Sequence, residues 1–351
     1  MFNLFKQLIK ERHLILINLY HPCRAINSFL ALLSYKLKLI KPLGKPIVID
    51  MEPTNFCNLR CEHCQVTHWD KAKKRLTMEK FKKWIRHFSL ASRIKLQGMG
   101  EPFLNKELPD IIKELEKKSF YIKVISNGTI LTDAVHEAVT QTKNFCITIS
   151  FDGADKKIFE KIRIGSNFDK IKENITKIIN SKSRKSKVST FMVGFEENKE
   201  QIKPTIELMA KLGVEEFHLR LFVINFGQND LNSKTLKHQI KFNNKVHLKD
   251  EFLDIAKKNN IKMHLSNQLY DEKNQCPWPW LGTYVDTEGY VIPCCCIGNA
   301  EIYNFGNLDK EDFHTIWYSK KYQQFRRQIR SNDIPKFCRS CYKPHVCKNI
   351  N

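Results

Sequence analysis

The residues best suited to chemistry in this chain are three cysteines in the segment Cys57-Asn-Leu-Arg-Cys61-Glu-His-Cys64. The apolar run before them, residues 46–52, predicts a short buried strand, and Pro53 breaks it, so the cysteines are predicted on the loop that follows. Three thiolates without a fourth neighbour favour a metal centre with one open position. Free thiols this crowded would be a redox liability with no benefit in packing.

Two kinds of metal centre fit this cysteine cluster. A structural zinc site takes four ligands, often as two Cys-x-x-Cys pairs, so zinc would need a distant fourth ligand here. An iron–sulfur cluster held by three cysteines leaves one iron free to bind another molecule. The cysteines alone leave both alternatives open.

The spacing of four and then three residues, on a loop after a first strand, resembles the motif of the radical S-adenosylmethionine (SAM) superfamily. The resemblance implies that Cys57, Cys61 and Cys64 hold a [4Fe-4S] cluster whose fourth iron binds the amino and carboxylate groups of SAM. It also implies reductive cleavage of SAM to methionine and a 5′-deoxyadenosyl radical, which abstracts hydrogen from a substrate.

The end of the second predicted strand carries the sequence Gln-Gly-Met-Gly-Glu-Pro at 97–102. Glycines let the backbone approach a ligand closely, and a carboxylate suits an ammonium group. The segment is similar to the Gly-Gly-Glu motif of the family, which implies that Gly98, Gly100 and Glu101 bind the amino group of SAM. Met99 replaces one glycine of the commoner form, and an ordinary turn is the alternative.

Short polar residues beside a glycine follow the third and the fourth predicted strands. Such side chains suit ribose hydroxyls, and both segments match strand-end motifs of the family. The resemblance therefore places four further residues in the SAM site: Ser126, Asn127, Ser150 and Asp152.

Two more residues fall where the family contacts SAM. Arg163 takes the position of an arginine that binds the SAM carboxylate, which a planar guanidinium suits, although a surface helix arginine is an equal alternative. His63 occupies a position that is usually aromatic in the family, and its imidazole is expected near the adenine.

Strand and helix patterns alternate from residue 46 onward, which predicts a parallel sheet with helices outside it. The predicted strands are 47–51, 94–97, 121–126, 145–151, 188–193 and 217–222. The predicted helices are 77–90, 106–118, 131–142, 168–181, 198–211 and 249–259, with a loop or lid at 223–247. This is an α/β chain, and six units fit the partial (β/α)6 TIM-like barrel of the resembled family. An open doubly wound sheet is the alternative.

A second group of cysteines lies near the C-terminus. Residues 284–292 predict a β-hairpin with its turn at Thr-Glu-Gly, and a helix is expected to follow with Phe313, Ile316, Trp317 and Tyr322 on its apolar face. The order of cysteines resembles the SPASM/twitch extension of radical SAM enzymes, a small α+β iron–sulfur domain. The resemblance implies that one auxiliary [4Fe-4S] cluster is held by Cys276, Cys294, Cys338 and Cys341.

Other cysteines and other metals remain open in this region. A zinc ribbon is the alternative for a Cys-x-x-Cys with two distant cysteines. Cys295, Cys296 and Cys347 have no assigned role, whereas Cys23 and Cys146 are predicted to be small buried hydrophobes.

The length of the chain, its charge and its N-terminal pattern limit how the chain can be organised. Its 351 residues predict an N-terminal helical segment at 1–45, a radical SAM core at 46–265 and the cluster domain at 266–351. The net charge of +22 indicates either an acidic partner or a Lys-rich surface.

Clustered cysteines without a secretory signal predict that the protein is located in the cytoplasm. The basic N-terminal segment predicts a helical cap, with peripheral contact to an anionic membrane as the alternative.

The resemblance implies an oxidoreductase that abstracts hydrogen from a substrate, which we expect to be a small polar or carbohydrate-like molecule that undergoes oxidation or epimerisation. Flavodoxin- or ferredoxin-like reductants are the expected electron donors. His218, Arg220 and Met192 are candidates to face the substrate, with barrel packing favoured for Met192. The alternatives are a maturase that modifies peptides or proteins and a zinc-stabilised nucleic-acid-binding protein, although no nucleic-acid motif is present.

Overall fold

The computed structural model describes residues 21–61, 63–69, 71–221, 245–266 and 270–342. The described strands are β1 (Val48–Met51), β2 (Arg93–Leu96), β3 (Tyr121–Ser126), β4 (Phe145–Ser150), β5 (Lys187–Val193), β6 (Glu216–Arg220), β7 (Lys262–Ser266), β8 (Gly282–Val285), β9 (Tyr290–Ile292) and β10 (Gly306–Asn307). The described α-helices are α1 (Pro22–Lys36), α2 (Met78–Ile85), α3 (Leu108–Lys117), α4 (Asp133–Gln141), α5 (Lys156–Ile162), α6 (Phe168–Ile179), α7 (Ile202–Lys211), α8 (Lys245–Lys258), α9 (Trp278–Leu281), α10 (Phe313–Trp317) and α11 (Lys320–Arg330).

The strands form one sheet in the order β10-β9-β8-β1-β2-β3-β4-β5-β6-β7. Every pair from β1 to β7 is parallel, as strand–helix–strand units require. No pairing between the described strands closes the sheet, so the predicted α/β fold with a partial barrel is confirmed. The sequence analysis missed β7, although Lys-Met-His-Leu-Ser alternates polar and apolar residues as a half-buried strand does.

The C-terminal region extends the same sheet instead of standing apart from it. Strand β8 pairs in parallel with β1, and β8 and β9 form the predicted antiparallel hairpin. The single helix expected after the hairpin is two helices, α10 and α11, because Ser319 starts a new helix by accepting a hydrogen bond from the Tyr322 N–H.

Local signals set several helix starts as predicted. Thr77 accepts a hydrogen bond from the Lys80 N–H, and Thr132 accepts one from the Val135 N–H. These side chains satisfy backbone donors that the first helical turn leaves free. The helix α5 was missed, since it is short and directly precedes α6.

The helix α1 is tied to the barrel by buried polar contacts, as the helical-cap interpretation expects. Its Arg24 donates hydrogen bonds to the carbonyl oxygens of Ser89, Lys118 and Ser119, and Asn27 donates to those of Lys45 and Leu90. Such contacts fix the helix over one end of the sheet.

The remaining sequence expectations have different outcomes. Cys146 is buried as predicted, but Cys23 is exposed because it lies in the first turn of α1, away from the barrel. Residues 223–244 of the predicted lid and Cys347 lie outside the described residues. Among the described helices, none is long and apolar enough to cross a membrane.

Candidate active site

The three clustered cysteines lie on the loop after β1, and hydrogen-bond donors point at the first of them. The Leu59 N–H donates to Cys57 Sγ at 3.4 Å, and Asn127 Nδ2, from the end of β3, donates to the same sulfur at 3.6 Å. Donors aimed at a sulfur favour its thiolate form. The predicted residue Asn127 is therefore bonded to the cysteine loop itself.

The chemistry of this donor set fits a metal cluster. Burial raises the pKa of the thiols of Cys57, Cys61 and Cys64, to about 12 for Cys61. A buried thiol keeps its proton unless a positive charge compensates the thiolate, and a bound metal supplies such a charge. The nearby guanidinium of Arg163 is already paired with Asp152, with 2.6 Å between Nη2 and Oδ2.

A separate group of possible metal ligands lies on β6 and β7. Among the described residues, Glu216, His218 and His264 bring three ligand atoms within 4.8 Å of one another.

The Gly-Met-Gly-Glu segment packs directly on the backbone that leads into the cysteine loop. The Gly100 N–H donates to the Thr54 carbonyl at 3.1 Å, and the Glu101 N–H donates to the Phe56 carbonyl at 2.9 Å. A Cβ at Gly100 would lie 2.3 Å from the Phe56 oxygen and 2.4 Å from the Thr54 oxygen. The glycine is required here by this close approach.

A Gly100→Ala substitution should therefore push the cysteine loop away from β2. We expect a loss of about 1–3 kcal/mol in the free energy of unfolding, as for other overpacked sites, together with loss of iron bound at Cys57, Cys61 and Cys64. Denaturant unfolding and iron quantification measure both. The control is Gly153→Ala, whose added Cβ would meet Gln201 Cβ at an ordinary 3.7 Å. Equal effects of the two substitutions would contradict the steric explanation.

Glu101 joins the ends of β2 and β3. Its buried carboxylate accepts hydrogen bonds from the Ser126 hydroxyl at 2.7 Å, the Asn127 N–H at 2.6 Å and the Phe103 N–H at 3.2 Å. Burial raises the pKa of Glu101 to about 7. The three predicted residues thus form one network beside the cysteine loop.

Glu52 is a site residue that the sequence analysis missed. Its buried carboxylate accepts hydrogen bonds from the Met99 N–H and the Tyr284 hydroxyl, both at 2.8 Å, and from the Thr287 N–H at 3.3 Å. A Cβ at Gly98 would lie 2.4 Å from Glu52 Cγ. The carboxylate therefore ties the Gly-Met-Gly-Glu segment to the C-terminal hairpin. An acidic residue directly after an apolar strand was the available signal.

The remaining predicted SAM contacts lie around the same region. The His63 ring packs against Phe195, with 4.5 Å between ring centroids, and both rings line the main cavity with Ser150. Asp152 and Arg163 form a buried ion pair, so both are engaged within the protein.

The four predicted auxiliary cysteines converge on one small cavity. Cys276, Cys294, Cys338 and Cys341 line a space of about 30 Å³ with apolar side chains, and Cys296 lines it as well. Cys296 lies within hydrogen-bonding reach of the thiols of Cys294, Cys295 and Cys341. The sequence could not assign Cys296, because three consecutive cysteines differ only in the direction that the chain gives each side chain.

One cavity of about 560 Å³ connects the two cysteine groups. One end is lined by His63, Cys64 and Gly98 of the core motifs. The other end is lined by auxiliary cysteines, among them Cys294 and Cys296. The volume is within the range of small-molecule sites.

The inner wall of this cavity is basic, which the sequence analysis largely missed. His218 and Arg220 line it as predicted, whereas Met192 is fully buried in the core. The unpredicted basic residues are Arg93, Lys95 and Lys123. The available signal was the alternation of charged and apolar residues in β2 and the single charge of Lys123 in β3, since a period of two points alternate side chains to one face.

Two family models match the chain: the radical SAM superfamily over residues 51–209, and an iron–sulfur cluster-binding domain, SPASM, over residues 276–342. The Tungsten-containing aldehyde ferredoxin oxidoreductase cofactor-modifying protein of Pyrococcus furiosus is 22% identical over 85% of this chain and 87% of its own. The AdoMet-dependent heme synthase of Methanosarcina barkeri is 23% identical over 88% of this chain and 92% of its own.

Solved structures share the fold. The crystal structure of Streptococcus suis SuiB bound to precursor peptide SuiA gives a TM-score of 0.67 at 15% identity, covering 84% of this chain and 69% of SuiB. The structure of anSMEcpe with bound AdoMet gives 0.60 at 17% identity, covering 84% of this chain and 88% of that one.

Proposed function

The chain carries a radical SAM domain followed by a SPASM iron–sulfur domain, and from this premise we propose that it abstracts hydrogen from a small polar substrate held between two clusters. These domains imply a SAM-binding [4Fe-4S] cluster, SAM and auxiliary cluster chemistry. The net reaction in our proposal is an oxidation or an epimerisation, as expected of an oxidoreductase.

The observation that carries the proposal is the cavity that joins the two cysteine groups. A substrate in it lies next to Cys64 and His63 at one end and next to Cys294 and Cys296 at the other. With clusters bound, this arrangement would suit an oxidation in which the substrate loses a hydrogen atom near the first group, an electron towards the second group and a proton to solvent.

The protein contributes positioning and exclusion of water. When bound, the cluster at Cys57, Cys61 and Cys64 supplies the electron for reductive cleavage of SAM. The network of Glu101, Ser126 and Asn127 holds the cysteine loop and the strand ends in register. This proposal also includes the domain boundaries 1–45, 46–265 and 266–351 and the four-cysteine set of the auxiliary cluster. It further includes contacts to SAM from Gly98, Gly100, Ser150, Asp152, Arg163 and His63.

Two considerations favour a small polar substrate. The curated relatives are named for modification of a cofactor and for heme synthesis, and the cavity has the size of a small-molecule site. A peptide maturase is the second candidate, since SuiB was solved with a precursor peptide. The zinc-stabilised nucleic-acid-binding alternative loses its support, because both cysteine groups fall within iron–sulfur enzyme domains.

Deuterium transfer tests the proposal. Anaerobically reconstituted protein is mixed with SAM, a one-electron reductant and perdeuterated candidates from two classes: polar small molecules and peptides. We expect deuterium in 5′-deoxyadenosine only with a small polar molecule. Deuterium from peptides alone would favour the maturase, and no reductive SAM cleavage would overturn the proposal altogether.

External partners remain part of the proposal. A flavodoxin- or ferredoxin-like protein is the expected electron donor. Peripheral contact of the basic N-terminal segment with an anionic membrane stays a prediction, which co-sedimentation of the full chain with anionic liposomes measures.

A further inference from the structure

The lining of the main cavity is strongly unbalanced in charge. Its described residues include Arg93, Lys95, Lys123 and Arg220, which we call the basic wall, and they include no aspartate or glutamate. An excess of positive charge on the lining of a cavity raises the local concentration of anions. Such a lining favours a negatively charged occupant.

Lys123 is the member whose charge is least compensated. It makes no hydrogen bond or ion pair with any residue that the structure describes. On the neighbouring strand, Lys95 stands directly opposite it, and like charges in that position repel. Burial is the main cause that lowers the pKa of the Lys123 ammonium, and the positive charges of Lys95 and Arg93 act in the same direction, whereas Cys146 and Glu216 act against it.

Two described acidic residues near the wall are already engaged. Asp50 Oδ1 lies 3.5 Å from Lys95 Nζ. Glu216 Oε1 lies 2.9 Å from Lys262 Nζ, and its Oε2 lies 3.0 Å from His264 Nε2. These contacts also weigh against a metal ion at Glu216, His218 and His264, since lysines crowd the site.

The auxiliary cluster accounts for only part of the basic wall. Thiolate-bound clusters are anionic, and Lys95 and Arg220 lie near Cys295 and Cys296, respectively. Lys123 instead faces Cys146, Lys95, Arg93 and Glu216, none of which is an auxiliary cysteine. Neither Cys146 nor Glu216 forms a hydrogen bond or ion pair with Lys123, so its ammonium group can bind a further anion.

We propose that the substrate carries a phosphate or carboxylate group and that this anion binds Lys123 and the adjoining basic wall, with the rest of the molecule towards the SAM end of the cavity. This inference rests on the proposed function, since it names the substrate class of the same site. Ammonium and guanidinium groups bind both anions through charge-assisted hydrogen bonds.

Calorimetric titration tests the inference on anaerobically reconstituted protein saturated with SAM, so that the SAM carboxylate site is already filled. Pyrophosphate and succinate are the two probes, and the tighter one identifies the anionic group. We expect Lys123→Gln to weaken the preferred probe by about tenfold, the loss of one charge-assisted contact. The matched control is Lys157→Gln, which removes the same charge from an exposed position.

Three results would overturn the inference: no saturable binding of either probe, equal affinity in wild type and Lys123→Gln, or an equal loss in Lys157→Gln. Hydrogen–deuterium exchange of the wild-type protein gives a second measurement that needs no variant. Pyrophosphate should slow exchange in peptides that contain Arg93–Leu96 and Tyr121–Ser126. SAM cleavage without anion binding would reject only this inference, whereas anion binding without SAM cleavage would reject the proposed function.

Discussion

A Cys57→Ala, Cys61→Ala, Cys64→Ala triple variant is expected to keep about half of the iron. It removes the ligands of one of the two proposed clusters, each of which holds about four irons. It should also lose reductive SAM cleavage completely. The three thiols lie on one loop, burial raises the pKa of each, and Arg163, whose positive charge acts against this rise, is already paired with Asp152. Iron and sulfide quantification and chromatography of 5′-deoxyadenosine measure the two effects.

The control for this experiment is Cys23→Ala, which removes an exposed cysteine far from the loop. It should keep all of the iron and full SAM cleavage. Unchanged iron in the triple variant would show that the loop holds no cluster. A parent protein that contains zinc and no iron would refute both cluster assignments.

The second large effect is expected at the auxiliary cysteines. A Cys338→Ala, Cys341→Ala variant should lose the other half of the iron, again about four atoms, yet it should still cleave SAM with a strong reductant. Product formation from the substrate should fall below detection. These cysteines line the small auxiliary cavity, and Cys341 also lines the main cavity at the end away from Cys64. Parallel assays of 5′-deoxyadenosine and product separate the two activities.

Cys296→Ala is the informative companion variant. The proposed ligand set of Cys276, Cys294, Cys338 and Cys341 omits Cys296, so its removal should leave the iron content unchanged. Loss of iron in this variant would place Cys296 in the set instead of one of the four. The five thiols share one cavity, so the position of each sulfur alone does not select four of them.

Much of the site followed from motifs at strand ends. In a parallel sheet the carboxyl ends of neighbouring strands meet at one edge, so Glu101, Ser126 and Asn127 had to lie close to the cysteine loop. Their mutual hydrogen bonds were not predictable, because they depend on side-chain directions. Glu101 was expected to face SAM, and in the structure both of its oxygens also accept hydrogen bonds from protein donors.

The sequence by itself determined the two cysteine groups, the order of strand-end motifs and the parallel α/β fold, since these depend on local spacing and on a period that the chain carries in one dimension. Only the tertiary structure decided that β8 extends the core sheet at β1, that Cys296 joins the auxiliary group and that Lys123 lies beside Lys95 on the same wall of the cavity. Strand register and sheet closure bring residues from distant parts of the chain together, and single-sequence periodicity contains no information on either.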